Sequence, residues 1–204
     1  MIKKQHILLF ITITFVSLNM SAQDKLLFLN GKILEGEILE QTDYEFSFQD
    51  KKNKQYSIDK YRVFSFTKND KESIVYKYDT LAGNFLKVDD MQLYVYGERD
   101  AHLTYNSNFV SAVGIAFGGV TGYFMHKDQS FLYIAAPFVY TTLTLPFGTS
   151  IKQQNKIKNK DFLKEDEYLR GYDRVARSNR TTNALKSSFV GMGVGFIISA
   201  IVNN

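Results

Sequence analysis

The sequence predicts an α+β protein made of a signal peptide, a small antiparallel β module and a helical membrane region. Three features predict this fold class. The N-terminus has the order of charged, apolar and small residues that marks export. Residues 24–80 carry short runs of β-branched and aromatic residues between turn residues, and the second half of the chain contains three long uncharged stretches.

Residues 1–22 have the three parts of a secretory signal peptide. Lys3 and Lys4 supply the positive charge, Ile7 to Leu18 is apolar, and small residues follow. We therefore predict cleavage after Ala22. The alternative is an uncleaved anchor helix, although the apolar run is shorter than the roughly 20 residues that span a membrane.

Residues 24–80 are predicted to form the β module, which has the size of an SH3-like or Sm-like barrel. Asn30-Gly31 favours a tight hairpin turn, because both residues accept a positive φ. Gly36 is expected to mark a bulge where the barrel bends. The predicted strands contain, in order, Leu26–Leu29, Ile33 with Ile38, Tyr44–Phe48, Tyr56–Ile58, Val63–Phe66 and Ile74–Tyr78.

A connector helix is predicted over residues 88–105, where the apolar residues change to helical spacing. Asp89 is the expected N-cap, because a side-chain oxygen there can accept from the free amides of the first turn. Gly97 weakens this helix by about 1 kcal/mol relative to alanine.

Residues 106–151 are predicted to form a hydrophobic helical hairpin. The uncharged stretches Leu103–Met125 and Gln129–Ile151 each approach the length of a membrane span, and only a short charged turn separates them. Pro137 and Pro146 are expected to kink the second helix. Buried helices of a soluble domain are the alternative, because the mean hydropathy of the whole chain is −0.20.

Two further helices are predicted at the C-terminal end. Residues 152–186 hold ten basic residues against five acidic ones, with Phe162, Leu169 and Tyr172 at helical spacing. This pattern is typical of an amphipathic helix lying along anionic lipid headgroups, and no nucleic-acid partner is expected for an exported chain. Residues 187–204 are predicted to form a glycine-rich membrane helix.

Small residues spaced by four are the sharpest local pattern in the helical region. Such spacing aligns them on one helix face, where two backbones can approach closely. The partner helix could lie in the same chain or in another copy. The predicted helix-packing residues are Gly114, Gly118 and Gly122 in the first stretch, and Gly191, Gly195 and Ser199 in the last.

Charged residues flank the predicted membrane stretches. They could meet at one membrane face and pair there, because partial removal of water strengthens such contacts. Alternatively, each of them remains solvated, where an ion pair contributes about 0–1 kcal/mol. The predicted juxtamembrane cluster consists of Glu98, Arg99 and Asp100 with Arg170, Arg174, Arg177 and Arg180.

The sequence offers little for catalysis. It contains no cysteine, which excludes disulfides, a thiol nucleophile and a lipid-modified N-terminal cysteine. Beyond the predicted signal peptide its histidines are His102 and His126, which lack metal-ligand spacing, and no hydrolase or phosphate-loop motif is present. We therefore expect no catalytic residue, cofactor or metal, and predict that the protein is not an enzyme.

Two segments resemble bacterial envelope proteins to which no activity is assigned. Leu29–Ile38, followed by Ile58 and Val63-Phe64, resembles a small β module of exported Gram-negative proteins. The remainder resembles a family of membrane proteins with a helical hairpin and a terminal glycine-rich helix, in Tyr96–Ala101, Gly118-Gly119 and Gly171–Arg174. The glycine spacing is also similar to that of glycine-zipper envelope proteins. The resemblance implies a membrane location and no particular chemistry.

These patterns predict an exported, membrane-anchored, non-catalytic envelope protein with a structural, assembly or partner-binding role. Its expected partners are membrane lipid and either another envelope protein or a second copy. A small oligomeric channel or transport accessory built on the glycine-spaced helices is the alternative. The protein is expected to face the periplasm, in the inner membrane by preference and otherwise in the outer membrane. Three crossings would put residues 152–186 in the periplasm, against the positive-inside rule.

Overall fold

A computed structural model describes residues 23–149, 151, 157 and 159–203. The predicted signal peptide therefore lies outside the described residues. The chain forms two compact units. The first contains the described residues up to Phe28 together with Ile33–Tyr76, and the second contains Leu29–Lys32 and the described residues from Lys77 onward. The α+β class is confirmed, with a sheet followed by helices.

The first unit is a six-stranded antiparallel sheet in the order β4-β3-β2-β1-β5-β6. Alternation of apolar and polar residues places one side of each central strand in the core, as the period of a strand requires. The core consists of Leu26, Ile38, Phe46, Phe48, Ile58 and Val63. The strands are β1 Asp24–Phe28, β2 Ile33–Gln41, β3 Glu45–Asp50, β4 Gln55–Asp59, β5 Val63–Lys68 and β6 Lys71–Ile74.

The sheet is open, so the predicted closed barrel is wrong. Closure would require β4 to pair with β6, but each of these strands pairs on one side only. β6 is short and entirely exposed, and it covers Lys71–Ile74 where a strand over Ile74–Tyr78 was predicted. The sheet therefore keeps two edges.

The predicted bulge at Gly36 is also displaced. Gly36 pairs in regular register with Asp24 and Asp50, and the irregularity falls between Ile38 and Glu40. A Cβ on Gly36 would meet the ring of Phe48, so this glycine allows close packing inside a regular strand.

The described residues of the second unit form four α-helices. α1 begins at Val88, with Lys87 at the N-cap position where Asp89 was predicted. Asp89 lies in the first turn instead, where the positive end of the helix dipole favours a carboxylate. The helices are α1 Val88–Thr104, α2 Asn108–Lys127, α3 Ala136–Thr144 and α4 Asp166–Val202.

Two of the three predicted membrane stretches are helices long and apolar enough to cross a membrane, namely α2 and α4. The middle stretch is different. It forms a 3-10 helix, Phe131–Ala135, followed by α3, and together they are shorter than a span. Pro137 lies in the first turn of α3, where proline is tolerated, so it does not kink a long helix.

α4 is a single helix of 37 residues, about 55 Å long at 1.5 Å per residue. It runs without interruption across the predicted boundary between residues 186 and 187. Its first half packs against α1 and buries Tyr168, Tyr172 and Ala176. Of the apolar stripe predicted to lie on lipid, Tyr172 is buried, whereas Leu169 is exposed and Phe162 lies in a 3-10 helix before α4.

Candidate functional site

The candidate site is the set of contacts that α4 makes with α2 and α1. Gly114, Gly118 and Gly122 are the buried residues of α2. A Cβ on Gly118 would collide with the backbone of Ser188, and one on Gly122 with the backbone of Met192. Backbone atoms cannot move aside as a flexible side chain can, so glycine is required for the two helices to approach this closely.

The glycines of α4 make the reciprocal contacts. A Cβ on Gly191 would meet the backbone of Ile115, and one on Gly195 the backbone of Gly119. Ser199 is completely buried, and its hydroxyl lies 3.2 Å from Nδ1 of His126. The predicted packing residues therefore face one another inside a single chain.

α2 and α4 run in the same direction. At the start of α2, the hydroxyl of Ser107 accepts from Nδ2 of Asn183, near the middle of α4, at 2.7 Å. Toward their ends, His126 meets Ser199. The chain must return between these parallel helices, and the segment containing α3 makes that return, with Tyr140 donating to the carbonyl of Val110 at 2.5 Å.

A second close crossing, between α1 and α4, was not predicted. A Cβ on Gly97 would collide with the carbonyl of Tyr168, and one on Gly171 with that of Tyr94. From the sequence, Gly97 was predicted only to weaken the helix that contains it. No sequence period marks this crossing, because neither Gly97 nor Gly171 has another glycine four residues away.

Glu98 is completely buried at this crossing and forms an ion pair with Nη1 of Arg174. Its second oxygen, Oε2, has no hydrogen-bond partner among the described residues. Burial raises the pKa of Glu98 to about 7, against the opposing effect of the Arg174 charge. The carboxyl group therefore changes its protonation state near neutral pH.

Asp100 and two tyrosines complete the polar contacts of the crossing. Oδ2 of Asp100 accepts from the hydroxyl of Tyr168 at 2.9 Å, and Oδ1 accepts from Nε of Arg99 at the same distance. The hydroxyls of Tyr172 and Thr104 lie 3.2 Å apart. These contacts satisfy polar groups that packing has removed from water, as burial demands.

The other arginines of the predicted cluster do not reach α1. Arg170 pairs with Glu167 and Arg177 pairs with Asp173, each at 2.6 Å and within α4. Arg180 lines a cavity of about 380 Å³ at the start of α2. The structure therefore pairs Glu98 with Arg174 across the crossing, while Arg170 and Arg177 form ion pairs within α4.

The histidines lie apart from each other. Nε2 of His102 is 3.2 Å from the carbonyl of Asn30, and burial lowers the pKa of His102. Within the described part of the chain, no three side chains of the types that bind metals come together. The arrangement supports helix packing and charge pairing.

Comparisons with family models, with curated proteins and with solved structures find no match to this chain.

Proposed function

We propose that this chain is an exported, non-catalytic component of the bacterial envelope that α2 and α4 anchor in a membrane. The apolar surface of these two helices supports the proposal. Only 17% of the most apolar window of α2 and 28% of that of α4 is buried. The exposed apolar residues include Phe109, Val113, Ile115, Val120 and Phe124 of α2, and Val190, Val194, Ile197, Ile198 and Ile201 of α4.

This exposure argues against helices that form the core of a soluble domain. A soluble core helix buries most of its apolar surface, because each large side chain left in water loses about 1.5–3 kcal/mol of burial free energy. Contiguous exposed apolar surface instead indicates contact with lipid or with another protein. Lipid would cover the exposed apolar side chains of both helices at once.

Alkaline extraction of cell membranes tests the anchoring. We expect the full chain to stay in the membrane pellet at pH 11, as an integral membrane protein does, while a peripheral protein is released. A variant with Glu at Val120, Phe124, Val194 and Ile198, all exposed to the proposed lipid, should shift to the soluble fraction. Recovery of the unmodified chain in the soluble fraction would contradict the proposal.

Export through a cleaved signal peptide is part of the same proposal. Cleavage after Ala22 would leave β1 complete, because this strand begins at Asp24. The mass of the protein purified from membranes should correspond to a chain that starts at Gln23. The sheet would then face the periplasm, with the inner membrane as the favoured location and the outer membrane as the alternative.

We further propose that the sheet binds a partner protein at its β4 edge. An unpaired edge offers backbone donors and acceptors for pairing. Tyr44 and Tyr61 are 81% and 75% exposed, and both lie beside the start of β3 and the end of β4. Large exposed tyrosines are typical of binding surfaces.

Affinity purification in detergent tests the partner-binding role. A stoichiometric envelope protein should accompany the full chain and be lost from the double variant Tyr44→Ser, Tyr61→Ser, or when residues 24–79 are deleted. Tyr78→Ser, at an exposed tyrosine outside the sheet, is the matched control. Recovery of the protein as a monomer without partners, in every detergent, would argue against this role.

The alternative proposal, an oligomeric channel, draws less support. It required the glycine faces to pack between copies, and both faces are occupied by contacts between α2 and α4 of one chain. Detection of a defined oligomer by native mass spectrometry in lipid would support the channel proposal.

A further inference from the structure

The cavity at the start of α2 has a strongly asymmetric charge. It is lined by Thr104–Val110, Gly148, Thr149, Tyr172 and Arg180. Arg180 is the only charged side chain among the described lining residues. Beside them, the carboxylate of Asp173 accepts from Thr149 and pairs with Arg177. The volume of about 380 Å³ exceeds that of several water molecules, which occupy about 30 Å³ each in the liquid.

Arg180 is only 4% exposed, yet the described residues provide no carboxylate to pair with it. Its Nη1 donates to the carbonyl of Gly148 at 3.2 Å, and Nη2 lies 3.5 Å from that of Leu145. Its Nε has no partner in the described part of the chain. Because a buried charge without a counter-charge is strongly unfavourable, the guanidinium indicates an anion.

The beginning of α2 supplies a second positive feature at the same cavity. The first amides of a helix have no intrahelical acceptor, and they carry the positive end of the helix dipole. Ser107 occupies the N-cap but makes no side-chain capping bond, because its hydroxyl accepts from Asn183. The amide of Asn108 donates to Oδ1 of Asn106 at 2.7 Å. Phe109 and Val110, which carry the next amides of the first turn, are among the residues that line the cavity.

We propose that this cavity binds a phosphate group, held by the guanidinium of Arg180 and by the first amides of α2. Arginine and helix N-termini both suit phosphate oxygens, which accept several charge-assisted hydrogen bonds. The phosphate could belong to an anionic phospholipid headgroup or be a free phosphate. The lipid source rests on the proposed anchoring, under which α2 enters the membrane here and the 79% exposed Phe109 lies beside the acyl chains.

Thermal unfolding of the purified full chain in detergent tests this site. Dioleoylphosphatidylglycerol, dioleoylphosphatidylcholine and inorganic phosphate are added separately, with chloride at matched ionic strength as the blank. A ligand that binds the folded state raises the unfolding midpoint in a concentration-dependent manner, which yields an apparent Kd. Stabilisation by phosphatidylglycerol alone assigns a lipid headgroup, and stabilisation by inorganic phosphate assigns a free phosphate.

Three variants test the residues. Arg180→Gln should weaken the apparent affinity about tenfold or more, because it removes charge-assisted hydrogen bonds. Ser107→Asp adds a carboxylate at the same amides, where aspartate is a good N-cap, so the fold is retained while the phosphate is displaced. Arg170→Gln is the matched control, since Arg170 lies on the same helix and pairs with Glu167.

The proposal is overturned if neither phosphate source stabilises the unmodified chain, or if Ser107→Asp binds as tightly as the unmodified chain does. If Arg180→Gln fails to fold, the affinity of Ser107→Asp for phosphate still tests the site. A chain that proves soluble on alkaline extraction would end the membrane proposal, while the inorganic phosphate measurement would still decide the site.

Discussion

Glu98 of α1 and Arg174 of α4 form an ion pair in which the carboxyl group is completely buried. The pair lies beside the close contact that Gly97 and Gly171 allow between the two backbones. Removal of the carboxylate from water opposes its ionisation more strongly than the arginine favours it, so the pKa rises to about 7. A single proton at Glu98 is therefore linked to the packing of α1 on α4.

The first prediction concerns the pH dependence of stability. The folded-state pKa of Glu98 lies above its ordinary value of 4.5. The stabilisation from its proton is therefore complete below pH 4.5 and is lost as the pH rises to about 7. Relative to Glu98→Gln, which cannot ionise, the unmodified chain should lose roughly 3 kcal/mol of unfolding free energy over this range. Unfolding followed by circular dichroism in detergent at several pH values measures the difference.

Comparison of the two proteins isolates Glu98 from other titrating groups. The lowered pKa of His102 acts in the opposite direction, because protonation of this partly desolvated ring destabilises the folded state as the pH falls. This effect is common to both proteins and cancels. Glu35→Gln is the control variant, because Glu35 is paired with Lys51 and its pKa is lowered. A constant difference between unmodified chain and Glu98→Gln from pH 4.5 to 8 would show that Glu98 remains ionised.

The second prediction concerns the contact between α2 and α4. Gly118→Ala should destabilise the helical unit by about 1–3 kcal/mol, because its methyl group would collide with the backbone of Ser188. Gly119→Ala is the matched control on the next residue of the same helix. A Cβ there would lie 3.8 Å from the carbonyl of Gly191, an ordinary van der Waals distance.

Unfolding of both variants in the same detergent provides the measurement. Alanine is the better helix former by about 1 kcal/mol, so Gly119→Ala should be neutral or slightly stabilising. Similar midpoints for the two variants would mean that the backbones of α2 and α4 are not in close contact in solution.

The sequence predicted some of these contacts and missed others for definable reasons. Residues four apart share a helix face, so the spacing of Gly114, Gly118 and Gly122 could be recognised without a partner. Gly97 is the only glycine of α1, and Gly171 lies far along α4 from its other glycines, so neither belongs to a four-residue period. Their meaning depends on which two helices cross, and this is a property of tertiary packing.

The sequence indicated which charges flank the helices but not which of them pair across helices. Arg170, Arg174 and Arg177 follow one another at spacings of three and four, so all three lie on the same side of α4. Which of them reaches Glu98 depends on the rotation of α1 against α4. The prediction of a closed barrel was wrong for a similar reason. The alternation of apolar and polar residues identifies strands but does not determine whether β4 pairs with β6.

The parallel direction of α2 and α4 leads to the third prediction, on membrane topology. If both helices span the membrane, their beginnings share one side, which also holds Ser178 of the first half of α4. Asp128 follows the end of α2 and would lie on the other side. With the sheet exported, Ser178 faces the periplasm and Asp128 the cytoplasm. The basic segment 152–186 then lies outside the cytoplasm, against the positive-inside rule.

Single cysteines measure this topology directly, because the chain has no native thiol. After selective opening of the outer membrane, a membrane-impermeant maleimide should label Ser178→Cys, while Asp128→Cys should be labelled only after lysis. Leu81→Cys, at a residue 98% exposed outside the helices, reports that the reagent has reached the periplasm. Labelling of Ser178→Cys only after lysis would indicate the reverse orientation, in which the basic segment satisfies the positive-inside rule. Labelling of both positions before lysis would indicate a hairpin that enters the membrane without crossing it, and would contradict the predicted topology.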